Sequence, residues 1–242
     1  MNSKRNAGLD LIKWLAIITM VVDHLRLINA LSEYNNILVV IGRFAFPLFS
    51  FVLAVNFHRI ITNKKYTALK PYLFNLGIFS IFSEIPYRLL EQNPTTINVM
   101  PTLLLGLIFM ILIESKLKFK YLILALLSTA LIFLSHWIMY GFLGVLLPMA
   151  CLFALKLKNK FWVILPMLIA ALCNAQYLLN AIKLMPLLFY SIITCAALAI
   201  LFAFVLIKLK INWKVLAVGH WGYWFYPVHL FLFSLINFIF KK

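Results

Sequence analysis

Apolar runs, each close to the length of a bilayer-crossing helix, recur along the whole chain, and short polar connections separate them. A helix needs roughly 20 mainly apolar residues to cross the hydrocarbon core. The pattern therefore predicts an all-α fold, a polytopic bundle of transmembrane helices with about nine spans and a range of eight to ten. The predicted spans are Leu9–Leu31, Ile37–Ile61, Leu69–Leu90, Ile97–Ile113, Tyr121–His136, Ile138–Leu155, Phe161–Tyr177, Pro186–Ile207 and Trp213–Ile239.

The composition agrees with this pattern and leaves no soluble domain of useful size. Of the 242 residues, 65% are hydrophobic and 12% are charged, against about 45–50% and roughly 25% in soluble domains. We expect a single integral-membrane domain over residues 1–242. The net charge of +16 does not indicate a nucleic-acid partner, because the basic residues lie in short connections. The three cysteines, without paired spacing, predict neither disulfides nor a metal site.

Basic residues are concentrated in every second connection. The positive-inside rule places these connections, and the amino terminus beside them, in the cytoplasm. Most of these residues need only set the topology, although a few could also hold an anionic ligand at that face. They are Arg59, Lys64, Lys65 and Lys70, then Lys116, Lys118 and Lys120, then Lys156, Lys158 and Lys160, then Lys208, Lys210 and Lys214.

Ionisable groups also interrupt the apolar runs, where each one needs a partner or a function because charge in hydrocarbon is costly. Counted from the predicted outer ends, several of them share one depth in the outer half of the membrane. A buried ion-pair network joining Arg43 to Asp23 or Glu84 is one interpretation. A reaction or transport site is the other, and it gives the histidines a role. The layer comprises Asp23, His24, Arg43 and Glu84; Thr102 lies at a similar depth in the fourth span, and His229 enters from the last span, closer to the midplane.

Helical geometry relates the polar residues of the first span to one another. Asp23 and His24 point about 100° apart on a helix, so we expect Glu84, or a residue near His229, to orient the His24 ring. Lys13 and His24 are eleven residues apart and return to nearly the same face, with an offset of about 20°. They would line one seam about 16 Å long, along which a thin ligand with an anionic head could lie.

Five stretches resemble the TraX family, membrane proteins that N-acetylate F-type conjugative pilin, and the resemblance covers nearly the whole chain. The stretches are GLDLIKWLAIITMVVDHL, IGRFAFPLFSFVLA, SEIPYR, NVMPTLLLGL and HWGYWFYPVHL. A wider resemblance is to integral-membrane acyltransferases of the acyltransferase-three type, whose first span carries a basic residue, ten others and then a histidine. Lys13 and His24 fit that spacing, although lysine stands where arginine is common.

This resemblance implies a multi-pass acetyltransferase of the bacterial inner membrane. It would move an acetyl group from cytoplasmic acetyl-CoA, its co-substrate, to the amino-terminal amine of membrane-resident pilin, with His24 as general base. We expect no metal and no nucleic-acid partner. The candidate catalytic residues are His24, Asp23, Glu84 and His229; the candidate substrate-binding residues are Lys13, Arg43, Arg88, Thr102 and Tyr226; the candidate donor-binding residues are Lys13, Arg59 and Lys64.

Other functions remain open at this point. The acceptor could be a glycan or lipid hydroxyl, or the chain could be a non-catalytic helper that holds pilin in the bilayer. A proton-coupled carrier could use Asp23, Glu84 and His229 as a relay, but the sequence has no internal repeat or matched pair of glycine-broken helices of the kind many carriers contain. The acceptor, the range of acyl chains and the oligomeric state do not follow from the sequence.

Overall fold

The computed structural model describes residues 6–91, 94–157, 159–175 and 185–240. Over these residues the regular structure is helical, with a single isolated bridge between Ile97 and Ile138 and no strand. The predicted all-α class is therefore confirmed for this part of the chain.

The α-helices are numbered here in chain order, and short 3₁₀ segments precede several of them. The 3₁₀ segments are Asn29–Tyr34, Tyr66–Ala68 and Lys160–Val163. The α-helices are α1 (Ala7–Leu25), α2 (Asn35–Gly42), α3 (Ala45–Thr62), α4 (Leu69–Phe82), α5 (Glu84–Leu90), α6 (Val99–Glu114), α7 (Lys120–Phe133), α8 (Gly141–Lys156), α9 (Ile164–Ala175), α10 (Pro186–Leu206) and α11 (Trp221–Ile239).

Three of the described helical segments are long and apolar enough to cross a membrane. They are the continuous α2–α3 unit Asn35–Thr62, with 28 residues, and the helices α10 and α11, with 21 and 19. The helices α6, α7, α8 and α9 are apolar but shorter. Helix α1 has 19 residues and carries Asp10, Lys13 and Asp23 within its length. The chain is thus a helical protein with clear candidate membrane spans.

Three predicted segments are wrong at their ends or in their continuity. Helix α1 ends at Leu25, six residues before the predicted Leu31. The third segment is divided at Ser83 into α4 and α5. The last helix begins at Trp221, eight residues after the predicted Trp213. Lys158 and the connection QYLLNAIK lie outside the described residues.

Hydrogen bonds from α1 account for the late start of α11. The Nζ of Lys13 donates to the carbonyl of Val218 at 3.2 Å, and the Nε1 of Trp14 donates to the carbonyl of Leu216 at 3.1 Å. Side chains of α1 thus supply the partners of these two carbonyls in place of a further helical turn. We call residues 207–220, which connect α10 to α11, the strap.

The first helix is held against the centre of the bundle. Helix α1 packs on α3, α3 packs on α8, and α8 packs on both α6 and α9. Phe51 and Phe57 of α3 and Leu107 of α6 are essentially inaccessible to solvent in this core. Helix α11 packs on α4 and α5 and also contacts α1. The first and last described helices are therefore neighbours, although about 200 residues separate them in sequence.

Candidate functional site

Two histidines from the first and last described helices are in direct contact. The Nδ1 of His24, in the last turn of α1, lies 2.8 Å from the Nε2 of His229 in α11. The Nδ1 of His229 lies 2.8 Å from the carbonyl oxygen of Phe225, one turn earlier on α11. His229 is 4% exposed, whereas His24 is half-buried. The sequence places both residues among the candidates but does not predict their contact.

Aromatic side chains of α11 hold the ring of His229 in place. Phe225 and Phe233, one turn before and one turn after it, lie with ring centroids 5.2 Å and 5.8 Å away. Residues four apart share a helix face, which is why α11 presents these rings together. Tyr226 is 5.7 Å from His229 and 6.2 Å from His24, measured between ring centroids. Tyr226 therefore borders both histidines.

An ion pair lies beside the histidines. The Nη2 of Arg43, which follows α2, contacts the Oδ1 of Asp23 at 2.6 Å. Arg26 lies 3.7 Å from the same oxygen. Asp23 also approaches Gly42 so closely that a Cβ at position 42 would overlap its carboxylate. Of the two predicted pairings, Arg43 with Asp23 or with Glu84, the pairing with Asp23 is thus present. A glycine at position 42 leaves room for it.

Glu84 has other partners. Its Oε2 accepts hydrogen bonds from the backbone N and the Nδ2 of Asn98, at 3.0 Å and 2.7 Å, and its Oε1 lies 2.7 Å from the Nε of Arg88. Asn98 is the N-cap of α6, so Glu84 joins the start of α5 to the start of α6. The prediction that Glu84 pairs with Arg43 or orients His24 is wrong, because these partners occupy its carboxylate and His229 itself contacts His24.

Two predicted substrate-binding residues lie apart from the histidine pair. The hydroxyl of Thr102 donates to the carbonyl of Met139 at 2.8 Å, and Thr102 is fully buried. Arg88 has a side chain that is 52% exposed and is paired with Glu84. Both side chains already have partners that stabilise the fold. Neither residue lines the cavity described next.

A cavity of about 320 Å³ extends along α1. On α1 its wall is formed by Lys13, Ile17 and Met20, which are spaced as residues of one helix face, and His24 comes next on that face. Tyr226, which borders both histidines, also lines it. The predicted seam is therefore a cavity wall from Lys13 to Met20, and His24 lies one turn beyond the lining. The rest of the lining is mainly apolar, and its other polar side chains are Asn56, Tyr72, His220 and Tyr223.

The strap and Lys13 also form part of the cavity wall. Val218, Gly219 and His220 of the strap line it, and the Nζ of Lys13 lies 3.2 Å from the carbonyl of Val218 and 3.4 Å from the Oδ1 of Asp10. Sequence reasoning missed Asp10 as a neighbour of Lys13, although a spacing of three on a helix indicates such pairs.

The two remaining predicted donor-binding residues are not part of this cavity. Lys64 is exposed in the turn after α3, and Arg59 lies in the last turn of α3. Neither belongs to the lining, so of the three predicted donor-binding residues only Lys13 borders this cavity.

Comparison with known proteins yields one family. A family model described as "TraX protein" matches residues 8–237, a range that includes both histidines, the ion pair and the whole cavity lining. No curated protein and no solved structure matches the chain.

Proposed function

The chain belongs to the TraX family, which is involved in F-pilin processing and conjugation, and we propose that it is a membrane-embedded N-acetyltransferase. Its donor is acetyl-CoA from the cytoplasm, and its acceptor is the amino-terminal amine of a pilin subunit in the membrane. The observation that carries this proposal is the cavity, which follows one face of α1 from Lys13 towards the contact between His24 and His229.

In the proposed reaction His24 is the general base. The neutral amine attacks the carbonyl carbon of the thioester, a carbon–nitrogen bond forms and the carbon–sulfur bond breaks. His24 takes the proton from the amine nitrogen and returns it to the departing thiolate. The products are the acetylated amine and coenzyme A with a free thiol. Histidine suits this exchange because its ordinary pKa, about 6.5, is near ambient pH.

The shape and chemistry of the cavity suit the donor. A mainly apolar passage accommodates the thin arm that carries the thioester, while Lys13 at one end of it can contact a phosphate of the head group. The distance along α1 from Lys13 to His24 is about 16 Å for eleven residues. In this arrangement the thioester approaches Tyr226 and His24, while the head group stays at the strap.

The proposed topology has about nine crossings of the bacterial inner membrane, with the amino terminus and the basic connections in the cytoplasm. The helices shorter than a full crossing, α6 to α9, would cross with help from flanking turns and local thinning of the bilayer. Lys13 then lies near the cytoplasmic side, where acetyl-CoA is made.

The carrier hypothesis receives less support from the geometry. A proton relay needs carboxylates that exchange protons with histidine. Asp23 is paired with Arg43, and Glu84 is paired with Arg88 and bonded to Asn98. These partners, and not the histidines, occupy the two carboxylates. Acyl transfer needs only the histidines and the cavity, so it is the better-supported function.

The test is mass spectrometry of purified pilin made with the parent protein and with two variants. We expect the amino-terminal peptide to gain the mass of one acetyl group with the parent and not with His24→Asn. His136→Asn is the matched control, because it makes the same substitution at an exposed histidine outside the cavity, and it should acetylate fully.

Each other outcome would count against part of the proposal. Full acetylation by an abundant His24→Asn variant would exclude His24 as the base. If pilin made with the parent protein stays unmodified in membranes supplied with acetyl-CoA, the acetyltransferase function is refuted and the non-catalytic helper is favoured. A modification that hydroxylamine removes would indicate an ester, and hence a hydroxyl acceptor in place of an amine.

A further inference from the structure

We infer that His229 is a positioning residue that holds His24 in the tautomer with the proton on Nδ1, so that the Nε2 of His24 is the basic nitrogen. This inference rests on the proposed function, because it assigns a role within the same site. It follows from two successive contacts: one joins the carbonyl oxygen of Phe225 to the Nδ1 of His229, and the other joins the Nε2 of His229 to the Nδ1 of His24.

The carbonyl of Phe225 determines the tautomer of His229. A carbonyl oxygen can only accept a hydrogen bond, and the Nδ1 of His229 lies 2.8 Å from it. That nitrogen must therefore carry a proton and donate. In a neutral imidazole one nitrogen is the donor and the other is the acceptor, so the Nε2 of neutral His229 carries a lone pair.

The surroundings of His229 favour the neutral ring. His229 is 4% exposed and packs between the rings of Phe225 and Phe233. A buried charge without a counter-charge is costly, and Arg43 already occupies the carboxylate of Asp23. Two adjacent imidazolium rings would also repel each other. His229 is therefore neutral in the resting protein.

The lone pair on His229 then determines the tautomer of His24. The Nε2 of His229 accepts across the 2.8 Å contact, so the Nδ1 of His24 must donate. The Nε2 of His24 keeps its lone pair and is free to take a proton. When it does so, the His24 ring still donates from Nδ1 to His229. One hydrogen bond thus suits both the base and its protonated form, and the proton stays on His24.

Three variants of His229 separate positioning from packing. His229→Gln has a side chain long enough to place an acceptor oxygen near the position of Nε2. His229→Asn is shorter and places its polar atoms near Nδ1 only, and His229→Phe keeps a ring without an acceptor. We expect kcat to fall about 100-fold in the asparagine and phenylalanine variants, within the range of acid–base contributions, and about tenfold in the glutamine variant.

The Michaelis constant for acetyl-CoA should stay within about twofold of the parent value in all three variants, because His229 does not line the cavity. If His229 had only a structural role, the order of kcat among the variants would differ. The phenylalanine variant would then have the highest kcat, because it preserves the packing. That order, or an asparagine variant with the kcat of the parent, would overturn the inference.

A spectroscopic measurement tests the tautomer without any acetyl transfer. In the full-length protein with ¹⁵N-labelled histidine in bicelles, the Nε2 of His24 should resonate as an unprotonated nitrogen and its Nδ1 as a protonated one. Loss of the resonance in His24→Asn assigns it. The tautomer should persist in His229→Gln and change in His229→Asn.

The spectroscopic result does not depend on which reaction the protein catalyses. A parent spectrum with His24 protonated at Nε2 overturns the inference even if pilin is acetylated. The expected tautomer in a protein that never acetylates pilin supports the inference and refutes only the proposed function.

Discussion

The pair between Arg43 and Asp23 can be tested by removing the arginine. The Nη2 of Arg43 contacts Asp23 at 2.6 Å, and its other nitrogens contact the carbonyl of Val39 at 3.3 Å and the Oδ1 of Asn174 at 3.5 Å. The two charged side chains are 16% and 15% exposed. Arg43→Ala removes every one of these contacts and leaves the carboxylate with Arg26 at 3.7 Å.

The expected loss of stability follows from this geometry. Removing one partner of a buried pair costs about 3–5 kcal/mol, because the remaining charge is left uncompensated. Arg26 retains part of the compensation, so the loss should be near the lower value, about 3 kcal/mol. For a chain of this size that corresponds to a decrease of about 6–12 °C in Tm.

The assay is thermal unfolding of the purified protein in detergent, with two variants side by side. Arg43→Ala should lower Tm by that amount, whereas Asp23→Asn combined with Arg43→Ala should recover about half of the loss. The double variant has no uncompensated carboxylate, and Arg26 keeps Glu91 at 3.8 Å. The reasoning would be refuted by a single variant as stable as the parent. A double variant less stable than the single one would refute it equally.

The remaining predictions concern a glycine, the cavity and the α5–α6 junction. Gly42→Ala should lower the free energy of unfolding by about 1–3 kcal/mol through overlap with its neighbouring carboxylate. Gly77→Ala, whose Cβ meets nothing within 4 Å, should be neutral or stabilise by up to about 1 kcal/mol in the same unfolding assay. Lys13→Gln should raise the Michaelis constant for acetyl-CoA about fivefold and change kcat by less than about twofold in initial-rate measurements; an unchanged constant would exclude Lys13 from donor binding. Glu84→Gln should weaken the hydrogen bonds with Asn98 and lower the free energy of unfolding by about 1–2 kcal/mol. It should leave kcat within about twofold of the parent value; a tenfold loss of kcat would instead indicate a catalytic role for Glu84.

The seam along the first helix is the part of the site that periodicity predicts best. Lys13, Ile17 and Met20 lie on one face of a continuous helix, and the cavity follows that face. Such an inference needs only the helical repeat and an unbroken helix. It therefore holds even though the predicted end of the helix, Leu31, is six residues too late.

The pairing of the polar residues is predicted less well, because it depends on where helices end. His24 lies in the last turn of α1, Glu84 begins α5 after the break at Ser83, and Arg43 follows the end of α2. Counting from the ends of apolar runs assumed unbroken helices and could not detect these ends. In the structure these three polar residues all lie close to helix ends, where backbone groups also need partners.

The contact between His24 and His229 could not be predicted from a single sequence. The residues are 205 positions apart, and nothing in local spacing links two such positions. The stretch HWGYWFYPVHL does carry a signal for the site, since His220, Tyr226 and His229 from it all lie at the cavity or the pair. The stretch therefore indicates that the start of α11 belongs to the site, but it does not indicate that α1 is the helix it contacts.

The position of His229 on the last described helix has a consequence for biosynthesis. Several contacts between residues 13–27 and the region after α10 can form only once that region has been synthesised. They include the bonds from Lys13 and Trp14 to the strap carbonyls, the bond from Asn237 to the carbonyl of Leu27, and the contact of His24 with His229. A nascent chain that ends after α10 contains His24 but not yet His229. Under the proposed mechanism such a chain would have no oriented base, so we expect activity only after α11 is in place.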